Sequence, residues 1–120
     1  MALPKQYRLT KTKEFSKVYQ QGRQASTKHL VVKALAIAEL SATDCSRFGI
    51  TISQKVSKRA VVRNRLKRQI RAAVQTLVPQ IKSGYWIVIV VRSAAVECDY
   101  WQFLQELEQL FIETEVLNGD

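Results

Sequence analysis

Between Lys55 and Arg71 the chain places eight basic side chains in seventeen residues: Lys55, Lys58, Arg59, Arg63, Arg65, Lys67, Arg68 and Arg71. Asn64 sits among them. A guanidinium group offers a planar fork of donors that suits phosphate oxygens, and it stacks on flat rings. An asparagine amide adds directed hydrogen bonds to sugar or base. The chemistry on offer is recognition of a polyanion. No acidic residue lies between Cys45 and Val96, so general acid–base catalysis has no carboxylate in this stretch. The single histidine, His29, stands beside a strand and reads as structural. Two cysteines, Cys45 and Cys98, are too few for a disulfide framework and lack metal-ligand spacing. Histidine-based metal sites and catalytic triads have almost no material here.

This segment dominates an uneven charge distribution. The 120 residues carry 19 Lys plus Arg against 10 Asp plus Glu, a formal net charge of +9. All 19 bases fall within residues 1–96, with only Glu14, Glu39 and Asp44 as acids, a net of +16. Residues 97–120 hold seven acids and no base, a net of −7. Such a surplus points to nucleic acid or to an anionic membrane. No apolar run approaches the roughly 18 residues of a membrane span, and the N-terminus has no hydrophobic signal core. The expected compartment is the cytoplasm. The length fits one domain, 1–120, with a basic arm over 1–11 and an acidic end over 112–120 that frays.

A helix from about Lys58 to Leu77, stopped by Pro79, aligns the bases. At 100° per residue Val62, Leu66, Ile70, Ala73 and Leu77 share one side, with Val74 at its edge. Arg63, Lys67 and Arg71 form the neighbouring row at spacing four. Asn64 and Arg68 lie further round, and Arg65 is placed nearly opposite the core. Like charges four residues apart cost an isolated helix a few tenths of a kcal/mol per pair, so an unrelieved row is a liability without a bound anion. The apolar stripe is needed for the core, which disfavours a membrane-surface role. Folded RNA fits this surface better than duplex DNA.

Upstream, Thr12 is placed to cap a helix from Lys13 to Gln21, where Phe15, Val18 and Tyr19 share a face and Lys13 and Lys17 flank it. His29 to Ile37 is β-rich, with Lys33 in its middle. Arg47 to Ser53 alternates, and the pattern predicts an antiparallel hairpin with the preceding strand. Trp86 to Val91 is apolar throughout, as in a central strand. Asp99 with Gln102 three residues on opens a last helix carrying Phe103, Leu107, Leu110 and Phe111. The order is α-β-β-α-β-α, an α/β (α+β) two-layer sandwich with a small mixed sheet.

The run Arg63-Asn64-Arg65-Leu66-Lys67-Arg68-Gln69-Ile70-Arg71 resembles the signature of the bacterial ribonuclease P protein subunit. That signature reads R-N-R, one apolar residue, K-R, two residues, R. Ser53-Gln54-Lys55-Val56 and Ala60-Val61-Val62 fit its lead-in. Leu3-Pro4 with Arg8-Leu9, Glu14-Phe15 with Val18-Tyr19 and Gly22-Arg23, Arg47-Phe48-Gly49-Ile50, and Gly84-Tyr85-Trp86-Ile87-Val88 are similar to other family segments. The likeness spans nearly the whole chain.

The resemblance implies a left-handed βαβ crossover, against the usual right-handed rule. It implies a protein that binds a large catalytic RNA, which with its bound Mg2+ removes the 5′ leader of precursor tRNA. The protein itself would supply no catalytic residue. By the same resemblance Lys58, Arg59, Arg63, Asn64, Arg65, Lys67, Arg68 and Arg71 meet the catalytic RNA. A cleft with Lys13, Phe15, Lys17, Tyr19 and Lys33 holds the single-stranded leader, where aromatic faces stack bases of any sequence. This chain departs from the pattern at Lys33, where relatives often carry an aromatic. It departs also at Ser57-Lys58-Arg59 and at Ala72. From the residues alone, the alternative is a non-catalytic RNA-binding module of ribosomal type. The acidic end matches no part of the signature; the expectation is that it limits non-specific RNA binding.

Overall fold

The computed structural model describes residues 7–37 and 46–117. The elements run α1 (Thr12–Gln21), β1 (Arg23–Ser26), β2 (Leu30–Ala36), β3 (Arg47–Thr51), α2 (Ala60–Leu77), β4 (Tyr85–Val91) and α3 (Tyr100–Glu113). Short 3₁₀ turns occupy Val78–Gln80 and Ser93–Glu97. The four strands form one mixed sheet in the order β1-β2-β4-β3.

The predicted hairpin between 29–37 and 47–53 does not form. β4 lies between its two halves, antiparallel to β2 and parallel to β3. The reason lies in β4 itself, whose sequence Tyr-Trp-Ile-Val-Ile-Val-Val is apolar on both faces. A hairpin of β2 with β3 would leave this strand at an edge, where its backbone and apolar surface meet water. β2 instead takes the short β1 as its outer neighbour. The sequence Arg-Gln-Ala-Ser of β1 has no strand pattern, and three of its four residues are exposed.

α2 and α3 pack together on one face of the sheet. Leu66, Ile70, Ala73, Val74 and Leu77 of α2 and Phe103, Leu107, Leu110 and Phe111 of α3 are buried there against Leu30, Val32, Phe48, Ile87 and Ile89. These are the two full layers. α1 lies across part of the opposite face, where Leu9, Val18 and Val88 make a second, smaller core.

Element ends follow local chemistry. α1 begins at Thr12, and its first turn is capped from within: the Glu14 carboxylate accepts the Lys11 backbone N–H at 3.2 Å. α2 begins at Ala60, two residues later than predicted. At α3 the expected cap is present, with the Gln102 N–H donating to Asp99 Oδ1 at 2.9 Å.

The acidic end was expected to fray from 112, but through Leu117 it is packed. Thr114, Val116 and Leu117 are buried. The Lys82 N–H donates to the Val116 carbonyl at 2.8 Å, and Ile81 bridges to Leu117. Glu115, at φ 65°, pairs with Arg23. Deleting residues from 113 onward therefore removes core along with charge. Residues 118–120, and the first six of the basic arm, lie outside the described residues.

Candidate nucleic-acid interface

α2 buries one stripe: Leu66, Ile70, Ala73, Val74 and Leu77 are buried, and Val62, also expected there, is only partly buried against the same core. Lys58, Arg59, Asn64 and Arg68 are exposed, and Arg63, Lys67 and Arg71 are half-buried along the flank. Among the described residues, the ion pairs are Arg23 with Glu115, His29 with Glu106, and Arg47 with Glu14; none involves α2. The positive field of the helix thus meets no carboxylate in direct contact among the described residues. It adds to the partial positive charge of the helix N-terminus beside Lys58 and Arg59. Arg63 also acts within the fold. Its Nη1 donates to the Ser57 carbonyl at 2.7 Å and braces the loop that enters the helix.

Arg65 does not sit opposite the core. Its Nη2 donates to the Val96 carbonyl at 2.8 Å, tying α2 to the 93–97 turn. Its Nε and the Oε1 of Gln69, one helical turn on, are buried without a partner. At 100° per residue Arg65 falls on the flank away from Arg63, and that flank is covered by the 93–97 turn and α3. Arg65→Ala is expected to lower stability by about 1–2 kcal/mol while leaving the salt dependence of RNA binding unchanged. Urea unfolding and a salt titration of RNA affinity measure the two quantities.

On the other face, strand register sets out rows beneath α1. Lys33, Val88 and Gly49 are aligned across β2, β4 and β3. α1 lies over this row: Phe15 sits above Gly49, Val18 packs with Val88, and Lys33 Nζ is 4.7 Å from the centre of the Tyr19 ring. The next row on one side is Leu35, Trp86 and Arg47. It receives Lys17, whose Nζ is 5.9 Å from the Trp86 ring, and Glu14, 3.8 Å from Arg47. The row on the other side is Val31, Val90 and Thr51, a shelf beside α1 in which Val31 is buried and Val90 and Thr51 are half-buried.

The five predicted cleft residues are therefore divided. Phe15, Tyr19 and Lys33 stand together beside this shelf, with Phe15 and Lys33 half-buried. Lys17 lies on the far flank of α1 and Lys13 is exposed on its outer side. Tyr19 is 40% exposed, enough to present a ring face to a ligand. Sequence reasoning passed over Thr51 and Val90 as floor residues. The alternation in Arg47–Ser53 placed Thr51 on the face of Gly49, so the signal was there; what was lacking was the register that set both beside Val90.

The two surfaces meet at the outer edge of β3. The Leu9 N–H donates to the Phe48 carbonyl at 2.8 Å and extends the sheet edge. There a cavity of about 120 Å³ is lined by Arg8, Phe15, Gly49 and Arg71, among others. Phe15 of the shelf and Arg71 of the basic helix share it. A larger groove of about 750 Å³ runs along the outside of α3, past Trp101, Leu104 and Ile112. Its rim carries Glu108 and Glu113 and no base, so it repels a polyanion.

Comparison with known proteins adds to this geometry. A family model described as Ribonuclease P matches residues 3–115. The ribonuclease P protein component of Cyanothece sp. is 51% identical over 129 residues, covering 98% of each chain. That of Synechocystis sp. is 48% identical over 118 residues, covering 98% of this chain and 93% of the other. Among solved structures, the RNase P protein of Staphylococcus aureus superposes with a TM-score of 0.82 at 28% identity, over 93% of this chain and 98% of that one. The RNase P protein of Thermotoga maritima superposes with a TM-score of 0.73 at 26% identity, over 85% of this chain and 94% of that one. No described helix is long and apolar enough to cross a membrane.

Proposed function

The chain belongs to the ribonuclease P protein family, and from that premise we propose that it divides its two faces between two RNAs. The exposed bases of α2 bind the catalytic RNA. The shelf beside α1 takes the single-stranded 5′ leader of precursor tRNA, with Tyr19 and Phe15 as stacking faces and Lys33 on phosphate. The observation that carries the reading is the basic face of α2, where arginine, lysine and asparagine have no carboxylate paired to them among the described residues.

Hydrolysis belongs to the RNA in this reading. Magnesium takes oxygen ligands, usually carboxylates or phosphates. α2 carries no carboxylate, so its basic face does not fit a magnesium site, and no step is routed through protein-bound metal. What the protein contributes is charge and shape: it neutralises phosphates where the RNA folds against it and holds the leader in place.

Arg68→Ala is expected to weaken binding to the catalytic RNA roughly tenfold and to reduce the salt slope by about one unit. Tyr19→Ala is expected to leave that binding intact and to lose the preference for precursors with long leaders. The assay is reconstitution of cleavage with a bacterial ribonuclease P RNA at low magnesium. Loss of both properties in both variants would refute the two-site division. Absence of any stimulation by the unaltered protein would refute the function.

A further inference from the structure

His29, Cys98 and Glu106 lie far apart in the chain, in the turn between β1 and β2, after the 93–97 turn, and in the middle of α3. The fold brings one ligand atom from each, a ring nitrogen, the thiol sulfur and a carboxylate oxygen, within 4.8 Å of one another. Cys98 is buried, and the His29 and Glu106 side chains are only 17% and 14% exposed. His29 Nδ1 is 2.7 Å from Glu106 Oε2. The other oxygen, Oε1, accepts the Thr27 hydroxyl at 2.6 Å. Thr27 Oγ1 in turn accepts the backbone N–H groups of His29 and Leu30.

We propose that this cluster binds a borderline-soft divalent transition metal ion, zinc being the expected one, through His29 Nδ1, Cys98 Sγ and the Glu106 carboxylate. Nitrogen, sulfur and oxygen are the donors that zinc takes, and water completes four-coordination. In a tetrahedral site with metal–ligand distances of about 2.0–2.1 Å, the nitrogen and oxygen stand about 3.3 Å apart. The 2.7 Å pair must therefore open by roughly half an ångström, a small movement for a histidine on a turn. Thr27 supplies the outer support that ligating carboxylates need, because it fixes the oxygen left outside the coordination shell.

The acidic neighbours Glu106, Asp99 and Glu97 favour a cation. Burial, then Glu106, Asp99 and Glu97, push the Cys98 thiol up to about 11, with Lys28 opposing. The thiol stays protonated until a cation arrives. Binding then forms the metal–sulfur bond and releases the thiol proton to solvent, so affinity rises with pH. The sulfur donor also selects against magnesium, which takes hard oxygen ligands. This site is thus chemically separate from the magnesium of an RNA partner, and two of its ligands, Cys98 and Glu106, belong to the face of the sheet opposite α1. Its effect is to staple α3 to the β1–β2 turn.

The test is titration of Co2+ into the full-length protein under reducing conditions. A thiolate-to-cobalt charge-transfer band saturating at one ion per chain is expected. Zinc should displace it, and excess magnesium should not. Cys98→Ser should abolish the band and Cys45→Ser should leave it. Glu106→Gln retains the hydrogen bonds in neutral form and should weaken cobalt binding by at least about tenfold. That variant keeps the test decisive even where Cys98→Ser loses its fold, which circular dichroism reports. A folded wild-type protein without the band would overturn the site. So would a band that survives in folded Cys98→Ser, or full cobalt affinity in folded Glu106→Gln.

Discussion

Gly49→Val is expected to unseat Phe15 and to cost the protein about 1–3 kcal/mol, together with its discrimination between long and short leaders. A Cβ at position 49 would lie 2.4 Å from both Cε1 and Cζ of Phe15, well inside contact distance, and 3.4 Å from the Cβ of Leu9. The ring cannot yield cheaply. Leu9 is buried and held by its backbone bond to Phe48, and Val18, one turn along α1, is fully buried against the sheet. Lifting Phe15 therefore lifts α1 from the Lys33–Val88–Gly49 row and separates Tyr19 from Lys33. α2 packs on the other face, so affinity for the catalytic RNA should survive wherever the protein is folded. Urea unfolding and paired cleavage assays on long-leader and leaderless precursors measure the two effects. Gly49→Val with unchanged stability and unchanged leader preference would show that Phe15 is not seated on this glycine.

What could be read in the chain is what depends on neighbours a few residues away. The apolar stripe of α2 and the half-buried basic row beside it follow from helical periodicity, and the Asp99 cap follows from the spacing of Asp99 and Gln102. β4 was legible as a central strand because no other place buries both of its faces. Pairing was not legible. β2 and β3 are adjacent strands in sequence, which favours a hairpin, yet the apolar demand of β4 outweighs the shorter connection. The tetrapeptide of β1 becomes a strand only because the outer edge of β2 is available.

The candidate site divides in the same way. Lys58, Arg59, Asn64 and Arg68 were identifiable because one helix suffices to make them neighbours. Arg65 was misplaced because its role depends on which flank of α2 the 93–97 turn covers, and no local pattern reports that. Phe15 and Tyr19 were found as a pair one turn apart. Their partners Gly49 and Lys33 are set by strand register, and so is the side of α1 on which Lys17 falls. The His29, Cys98 and Glu106 cluster is the extreme case, since its members share no spacing rule and meet only through the packing of α3 on the sheet.

The acidic end carries the largest expected change in stability. Phe111→Ala should cost about 3–5 kcal/mol, as expected for truncating a fully buried aromatic. The Phe111 ring is 6.3 Å from that of Phe48 on β3, tilted by 46°, so it joins the last turn of α3 to the sheet. Its carbonyl also accepts the N–H groups of Val116 at 2.9 Å and Leu117 at 3.3 Å, which turns the chain back toward Lys82. Removing the ring leaves a cavity under that reversal and loosens Val116 and Leu117 along with it. For a domain of this size each kcal/mol is worth several degrees, so the melting temperature should fall by roughly 15–30 °C. Thermal unfolding followed by circular dichroism measures the shift. RNA affinity measured below the transition should keep its salt slope, because the exposed bases of α2 are untouched. A melting temperature within about 5 °C of the wild type would mean that the 111–117 reversal carries little of the stability. The acidic end would then be an appendage to the basic body rather than part of its core.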